Sequence, residues 1–479
     1  MLMIPELIIL ATALLVLMAG TMSPNSSKAL APLSMIGIAA SFVALVFFTP
    51  QTGEMLGGRF VLDPVAWWFK ILFLVAGILT VAMSLDMLDG RVTKKVKGMA
   101  SGAEYYMILL STMAGMMYLC SARDLISLYV SLELTTIPLF LLTAWIRDDI
   151  RSGEAGLKYV IIGAMASGVM LYALSLFYGL TGSTDLDVLR VSLTSSPALL
   201  AAAALLVGGI GFKLTLVPFH MWAPDVYEGA PLPITAYLSV ASKGAGLVFL
   251  FHIFYRVLGG FLPDWGVMVA ILATATMTFG NVVAIWQKNI KRFMAFSAIS
   301  QAGYLIMGFL GKSAEGVPAM LFYLLVYIIS NLVVFAVIIF YANETGREQI
   351  EEYKGLARRH PMLSLAMMIG LFSLAGIPPL PGFVGKFFLF SVASKANFHW
   401  LVLVAAVNST ISLYYYLRVI KEMYVDPLPA GDEKELRITP VLATTVSVSA
   451  LAMVAMGLLP FFYEWVHTDT IGWLRGLGL

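Results

Sequence analysis

The sequence predicts an all-α polytopic membrane protein of fourteen transmembrane helices, and three observations predict it. The 479 residues are 60% hydrophobic and 12% charged, with a mean hydropathy of +0.88, whereas a soluble domain of that length needs far more polar surface. Apolar runs near the roughly 20 residues that cross a bilayer recur along the whole chain. Loop cations divide unevenly between the two sides that an even number of crossings creates.

The spans fall at 4–22, 29–49, 64–88, 103–121, 123–146, 154–180, 197–219, 231–256, 264–287, 290–311, 316–342, 361–394, 399–424 and 438–461. The first lacks a basic leading region and a convincing cleavage site, so it is expected as a retained helix and not a signal peptide. Spans one to three form an N-terminal segment within residues 1–100. Spans four to eight occupy 101–258, spans nine to thirteen 259–425, and span fourteen with its tail 426–479.

Two spans are interrupted. Span seven runs into Lys213, then meets Pro218, the polar residues His220, Asp225 and Glu228, and Pro231 and Pro233. Span twelve is too long for one straight crossing and is cut by Ile377-Pro378-Pro379-Leu380-Pro381-Gly382, shortly before Lys386. Proline removes a backbone donor and clashes with the preceding turn. Non-helical backbone at membrane depth is tolerated only where it is buried in protein or lines a watery cavity. The two broken spans lie five helices apart, and an odd repeat length inverts orientation. The sequence therefore predicts two inverted five-helix repeats, spans 4–8 and 9–13, each with one broken helix.

Orientation follows from loop charge. The side shared by the termini carries Arg59, Arg123, Arg190, Arg256, Lys312, Lys395 and Arg475, seven cations. The opposite side carries eighteen, including four within Arg91–Lys97 together with Arg147, Arg151, Lys291 and Arg292. The positive-inside rule places the eighteen in the cytoplasm and both termini outside.

Five ionisable residues stand out within the apolar spans: Glu133, Lys158, Lys213, Lys243 and Lys386. A charge at the centre of a spanning helix costs roughly 2.5–3.5 kcal/mol on insertion scales, so such residues face water, pair, or relay protons. Glu133 sits mid-helix in Leu132-Glu133-Leu134-Thr135-Thr136-Ile137-Pro138 and requires a proton or a cationic partner. Lys213 lies beside the first break. Burial favours its neutral amine and a nearby carboxylate favours the ammonium, so a Glu–Lys pair is a tunable proton site. Lys243 occupies Ala241-Ser242-Lys243-Gly244-Ala245-Gly246, where small neighbours are expected to leave room for motion or water. Lys386 follows the second break without an acidic partner in its own helix. His220 exchanges protons near neutral pH or, alternatively, ties down the broken segment. Lys158 stands near a helix end and can snorkel to the interface; Lys70, also in the first turns of its span, is expected to do so. His252 has only apolar sequence neighbours and reads as packing.

Other chemistry is excluded. A net charge of +2 gives no case for nucleic acid, so the lipid bilayer is the expected surrounding. The single Cys120 rules out an internal disulfide, a Cys-ligated iron–sulfur cluster and the usual Cys/His zinc site. No phosphate-binding Gly motif, His pair at metal spacing or nucleophile elbow occurs. The chain is thus expected to bind no cofactor.

Gly156-Leu157-Lys158-Tyr159, the stretch Val217-Pro218-Phe219-His220-Met221-Trp222-Ala223-Pro224-Asp225-Val226-Tyr227-Glu228-Gly229-Ala230-Pro231, Ala241-Ser242-Lys243 and Asn289-Ile290-Lys291-Arg292 resemble the subunit N family of the proton-pumping NADH–quinone oxidoreductase, respiratory complex I. The resemblance runs from about span three to span thirteen. Subunits L and M and the large subunits of Mrp-type sodium/proton antiporters are related. The Asp-Val-Tyr-Glu-Gly-Ala-Pro wording and a lysine at Lys386, where subunit M is expected to have Glu, favour N. Subunit L is expected to carry a lateral helix after span fourteen.

The resemblance implies a role for each matching position. Glu133 and Lys213 form the switching pair, Lys158 lies near the intake, Lys243 and His220 carry protons laterally, and Lys386 connects to the outer exit. It also implies a bacterial inner-membrane complex in which NADH, FMN, iron–sulfur clusters and quinone sit on other subunits. Neighbouring antiporter-like subunits pack alongside. The rival implication is a sodium/proton antiporter subunit with no redox coupling.

Overall fold

The computed structural model describes residues 1–22, 27–88, 102–310, 314–429, 436 and 438–476. The expected loop cations at Arg91–Lys97, Lys312, Lys434 and Arg437, and the side chain of Lys28, lie outside the described residues.

Helices α1 (Ile4–Met22) and α2 (Ser27–Val43) lead into a short hairpin, β1 (Gly53–Met55) and β2 (Phe60–Leu62), paired antiparallel with Gly53 opposite Leu62. The sequence reading did not anticipate it; Gly57 and Gly58, both at positive φ, turn the chain between the strands. Then follow α3 (Pro64–Leu88), α4 (Gly102–Ser121), α5 (Leu125–Thr143), α6 (Ile150–Thr181), α7 (Leu186–Ser192), α8 (Pro197–Leu214), α9 (Trp222–Gly229), α10 (Leu232–Tyr237) and α11 (Lys243–Leu250). The second half holds α12 (Leu262–Trp286), α13 (Ile290–Ile306), α14 (Gly316–Thr345), α15 (Leu356–Arg359), α16 (Pro361–Ala375), α17 (Pro381–Lys395), α18 (His399–Tyr424), α19 (Pro440–Leu458) and α20 (Phe461–Gly476).

Eleven of the described helices are long and apolar enough to cross a membrane. The three other predicted spans are helical but outside that group: span four is α4, span ten is the 17-residue α13, and span twelve is the pair α16 and α17. Helix α20 was not predicted as an element.

Local sequence fixes the ends that matter. Asp124 caps α5 by accepting from the backbone N–H of Ile126 and Ser127, and Ser196 caps α8 through Leu199. Helix α8 stops at Thr215, which adopts a left-handed conformation (φ 58°), and α16 stops at Gly376 (φ 86°). Both stops use the terminal geometry in which a following N–H returns to a late carbonyl. The two predicted breaks are therefore present, at 215–221 and 376–380, and each contains one cis X–Pro bond, Val217-Pro218 and Pro378-Pro379.

Two helices form the centre. The continuous segment Leu232–Val257 (α10, a π-turn, α11 and a second π-turn) and α14 are each 94% buried across their most apolar window. Helices that are hydrophobic all round belong at such positions. Helix α14 packs against α3, α16, α17, α19 and α20. In contrast α1, α6, α18 and α19 are only 33% buried and present apolar surface outward.

Two sequence expectations are corrected here. Lys70 does not snorkel: it is fully buried, paired with Glu6 at 2.6 Å and set 4.8 Å over the Phe60 ring. The reason is tertiary, because the partner carboxylate is supplied by α1. The small residues around Lys243 do not leave a void either. A methyl group on Gly244 would come within 2.7 Å of Phe73, and one on Gly246 within 2.8 Å of Leu214. These glycines admit neighbouring side chains into close contact.

Candidate functional site: a buried line of lysines

Helix α8 delivers Lys213 in its last turn, where the partial negative charge of the terminal carbonyls favours a cation. Across from it, α5 presents Glu133. Lys213 Nζ and Glu133 Oε1 stand 3.7 Å apart, an ionic contact without a direct short hydrogen bond. Each partner is held by its own hydroxyl. Lys213 donates to Thr136 Oγ1 at 2.6 Å, and Ser167 Oγ from α6 donates to Glu133 Oε1 at 2.7 Å. The carboxylate is mostly covered and the ammonium is buried.

Lys243 lies at the junction of a π-turn and α11 in the central helix. Its amine donates to Thr215 Oγ1 at 2.5 Å, reaching the residue that terminates α8. At the second break, Lys386 reaches back from α17 and donates to the carbonyls of Leu374 and Ala375, both at 3.0 Å, and to Ser409 Oγ at 3.1 Å. Those carbonyls belong to the last turn of α16 and lack intrahelical partners. The Tyr304 ring lies beneath the ammonium at 4.4 Å. Each break thus offers the end of a helix to a buried lysine.

A run of polar groups occupies the space between Lys243 and Lys386. Ser239, one turn before Lys243, accepts from Asn331 Nδ2 on α14 at 2.5 Å, and its carbonyl accepts from Tyr327 at 2.9 Å. The adjacent Ser330 hydrogen-bonds Ser373 on α16 at 2.8 Å. Gln301 donates to Leu374 O at 3.0 Å, the carbonyl shared with Lys386, and it also contacts Tyr323 and Tyr416.

His220 and Lys158 stand apart from this line. His220 is buried in the first break, with its ring edge-on to Phe279 at 4.5 Å, and makes no hydrogen bond to Lys213 or Lys243. Lys158 is 40% exposed and pairs with Glu154 and Asp225, each at 2.7 Å. Arg292 joins the same cluster through Asp225 (2.8 Å) and Glu228 (2.9 Å). Together with Arg151 these residues line an open polar cavity of 310 Å³. Burial pushes the Asp225 carboxyl up, but hydrogen bonds from Lys158 and Arg292 outweigh it and hold it below the ordinary carboxylate range. Its stabilising contribution is therefore present above that ordinary range and is lost as pH falls through the lowered value.

Exposed ion pairs are worth about 0–1 kcal/mol, and Arg292 and Lys158 each retain a second carboxylate. Asp225→Asn is accordingly expected to leave the amount of assembled protein on native gels unchanged; a clear loss contradicts this.

Sequence reasoning missed a second buried cluster. Asp63 accepts from both Arg123 and Arg256, the latter at 2.6 Å, with all three side chains buried. His252 is part of it and is not mere packing. Arg123 Nη1 faces its Nδ1 at 3.3 Å and can only donate, so Nε2 carries the proton and donates to Cys120 O at 3.1 Å. Thr136, Ser167, Thr215 and Ser409 were also missed. Thr136 alone left a signal, three residues after Glu133 on the same helix face. Among the described residues no group of three or more His, Cys, Asp or Glu side chains is placed to hold a metal ion.

The family described as NADH:quinone oxidoreductase/Mrp antiporter, TM, matches residues 122–412, which include every lysine of the line. NADH-quinone oxidoreductase subunit N from Moorella thermoacetica is 42% identical over 95% of this chain and 94% of its own length. A chain of respiratory complex I from Thermus thermophilus superposes with a TM-score of 0.81 at 30% identity, covering 96% of this chain and 98% of that one. A chain of the Mrp complex from Dietzia sp. superposes at 0.83 over 99% of each chain; at 21% identity it shows the shared fold alone. The chain belongs to the NADH:quinone oxidoreductase/Mrp antiporter transmembrane family, among the relatives named NADH-quinone oxidoreductase subunit N.

Proposed function

We propose that the chain is a membrane-arm subunit of a bacterial NADH-quinone oxidoreductase that moves protons from the cytoplasm to the outside. NADH oxidation and quinone reduction, with the FMN and iron–sulfur clusters they need, belong to other subunits. In this reading the chain crosses the inner membrane fourteen times with both termini outside, and residues 101–258 and 259–425 are its two inverted repeats. Other membrane-arm subunits, including antiporter-like ones, flank it.

The observation that carries the reading is a succession of polar contacts through an otherwise apolar centre, Glu133–Lys213, Thr215–Lys243, Ser239–Asn331, Ser330–Ser373 and Leu374 O–Lys386, each following the last by residues one to four positions apart on the same segment. Burying that many polar groups is justified only if they are satisfied and used. The Glu133/Lys213 contact is the switch. At about 4 Å and an effective dielectric near 20, two unit charges attract by about 4 kcal/mol. Drawing Lys213 away from Glu133 removes that attraction and favours release of its proton toward Lys243, which Thr215 already holds near. Thr136 and Ser167 keep the two partners separately anchored, so separation leaves neither group stranded. Lys386, bound to carbonyls at the second break, hands the proton to the outer side.

Inverted membrane vesicles lacking this chain are expected to lose NADH-driven acidification and regain it on re-expression, with no sodium requirement. Sodium-dependent proton exchange that does not respond to NADH contradicts the reading and favours the antiporter.

A further inference from the structure

Each lysine of the line meets a hydroxyl that is itself turned toward a backbone carbonyl. Lys213 donates to Thr136, whose hydroxyl donates to Leu132 O at 2.8 Å. Lys243 donates to Thr215, whose hydroxyl donates to Leu214 O at 2.6 Å. Lys386 donates to Ser409, whose hydroxyl donates to Ala375 O at 2.8 Å. A charged lysine has three donors and no acceptor, so a hydroxyl beside it must accept and send its own hydrogen elsewhere. Three lysines on three helices share this arrangement, and at Lys386 every partner is in place.

The Lys386 ammonium sets its three N–H groups on Leu374 O and Ala375 O, both at 3.0 Å, and on Ser409 Oγ at 3.1 Å. Leu374 O takes a second hydrogen from Gln301 Nε2 at 3.0 Å, and Ala375 O takes its second from Ser409. A carbonyl oxygen has two lone pairs, so both carbonyls are filled. Tyr304 offers its ring face to the ammonium, while its hydroxyl turns to Ala405 O at 3.3 Å. The cation is fully satisfied. A lysine that passes protons on must also stand there neutral, with two hydrogens and a lone pair that needs a donor, because a buried polar group left unpaired is costly. Carbonyls only accept, and a ring face attracts cations. Gln301 is committed, its Oε1 accepting from Tyr323 and its Nε2 facing Leu374 O and Tyr416. Among the described groups that touch Nζ, Ser409 alone can turn from acceptor to donor.

We infer that Ser409 is a positioning residue for proton release, its hydroxyl accepting from Lys386 when the lysine is charged and donating to it when the lysine is neutral. Lys386 Nζ gives its proton to water on the outer side; the electron pair of the broken N–H bond stays on nitrogen and the water becomes hydronium. The amine turns about its Cε–Nζ bond until the lone pair faces Ser409. The Ser409 hydrogen swings from Ala375 O to Nζ, while the two remaining N–H groups keep Leu374 O and Ala375 O. None of these groups is left unpaired in either state. Ser409 carries no proton onward, and reloading Lys386 reverses the turn. The inference rests on the proton-translocating reading above and names what allows its last lysine to change charge.

The test uses the whole complex reconstituted in liposomes, recording protons moved per NADH oxidised together with the amount assembled. Ser409→Ala removes the hydroxyl and leaves both carbonyls, so the ratio is expected to fall to that of Lys386→Ala with assembly intact. Ser409→Thr keeps a hydroxyl at the same branch point and is expected to hold the wild-type ratio. A wild-type ratio in Ser409→Ala, alongside a lowered ratio in Lys386→Ala, overturns the role of Ser409 and leaves the functional reading standing. Equally low ratios in Ser409→Ala and Ser409→Thr, both assembled, also overturn it, since altered packing then explains the loss. A wild-type ratio in Lys386→Ala removes the lysine that Ser409 serves and overturns the inference with it; a wild-type ratio in Lys213→Ala as well overturns the functional reading itself. Should Ser409→Ala fail to assemble, Ser409→Cys, whose thiol is only a weak donor and acceptor, decides by the same ratio, a fall supporting the role and a wild-type value overturning it.

Discussion

Replacing Lys213 by alanine is expected to stop proton movement through this subunit while leaving the complex assembled. The substitution removes the only cation paired with Glu133 among the described residues, but that carboxylate is 15% exposed and keeps Ser167, and Lys243 keeps Thr215, so the loss is cushioned in a way a fully buried pair would not be. A positioned acid or base contributes about 10²–10⁴-fold to a proton transfer, and links that act as a unit fail together when one is lost. Flux through the subunit should therefore fall by at least about tenfold. NADH-driven acidification measured beside subunit content on native gels separates this from a folding defect. Full acidification with normal assembly removes Lys213 from the mechanism.

Asp63→Ala has the opposite signature, a loss of assembly with no specific effect on the protons carried by what does assemble. Two buried guanidiniums, Arg123 and Arg256, share one carboxylate. Its other oxygen caps the start of α3 by accepting from Ala66 N at 2.8 Å. Arg256 is further covered by Trp473 of α20 at 4.9 Å, so water cannot readily replace the lost partner. Breaking a buried pair by removing one member costs about 3–5 kcal/mol, a large share of the stability of an ordinary domain. The amount of complex surviving brief heating in detergent measures it, and survival equal to that of the unaltered protein contradicts the account. Asp63→Asn, whose one side-chain oxygen serves either the cap or the guanidiniums but not both, should fall between.

The two predictions separate what the sequence made legible from what it did not. Lys213, Lys243 and Lys386 stand out because a charge in an apolar run is costly and few such charges occur. The breaks stand out because clustered prolines cannot continue a helix. The hydroxyls that hold these lysines do not stand out, since Ser and Thr bond harmlessly to their own helix backbone elsewhere in the chain, as Thr80 and Ser84 do. Ser330 and Asn331 form a polar pair inside the most apolar span of the chain, a signal present but unread. Arg123 and Arg256 each sit at a predicted span end and so passed for loop charge, and Asp63, one residue before a span, gave no signal of its own. Their convergence depends on three segments separated by 60 and more residues, which no local pattern records. Lys70 failed for the same reason: distance from the helix end suggested an escape to the interface, while tertiary packing supplied Glu6.

The most direct test of the central claim, that one continuous line from Glu133 to Lys386 carries protons, lies at its far end. Lys386 is distant in sequence from the switch pair, touches neither Glu133 nor Lys213, and is bound to the α16 carbonyls alone with Ser409. The protons moved per NADH oxidised by reconstituted complex carrying Lys386→Ala is the quantity to measure. The ratio is expected to fall to that of Lys213→Ala at normal quinone reductase content; an unaltered ratio at normal assembly rules out a single line ending at Lys386.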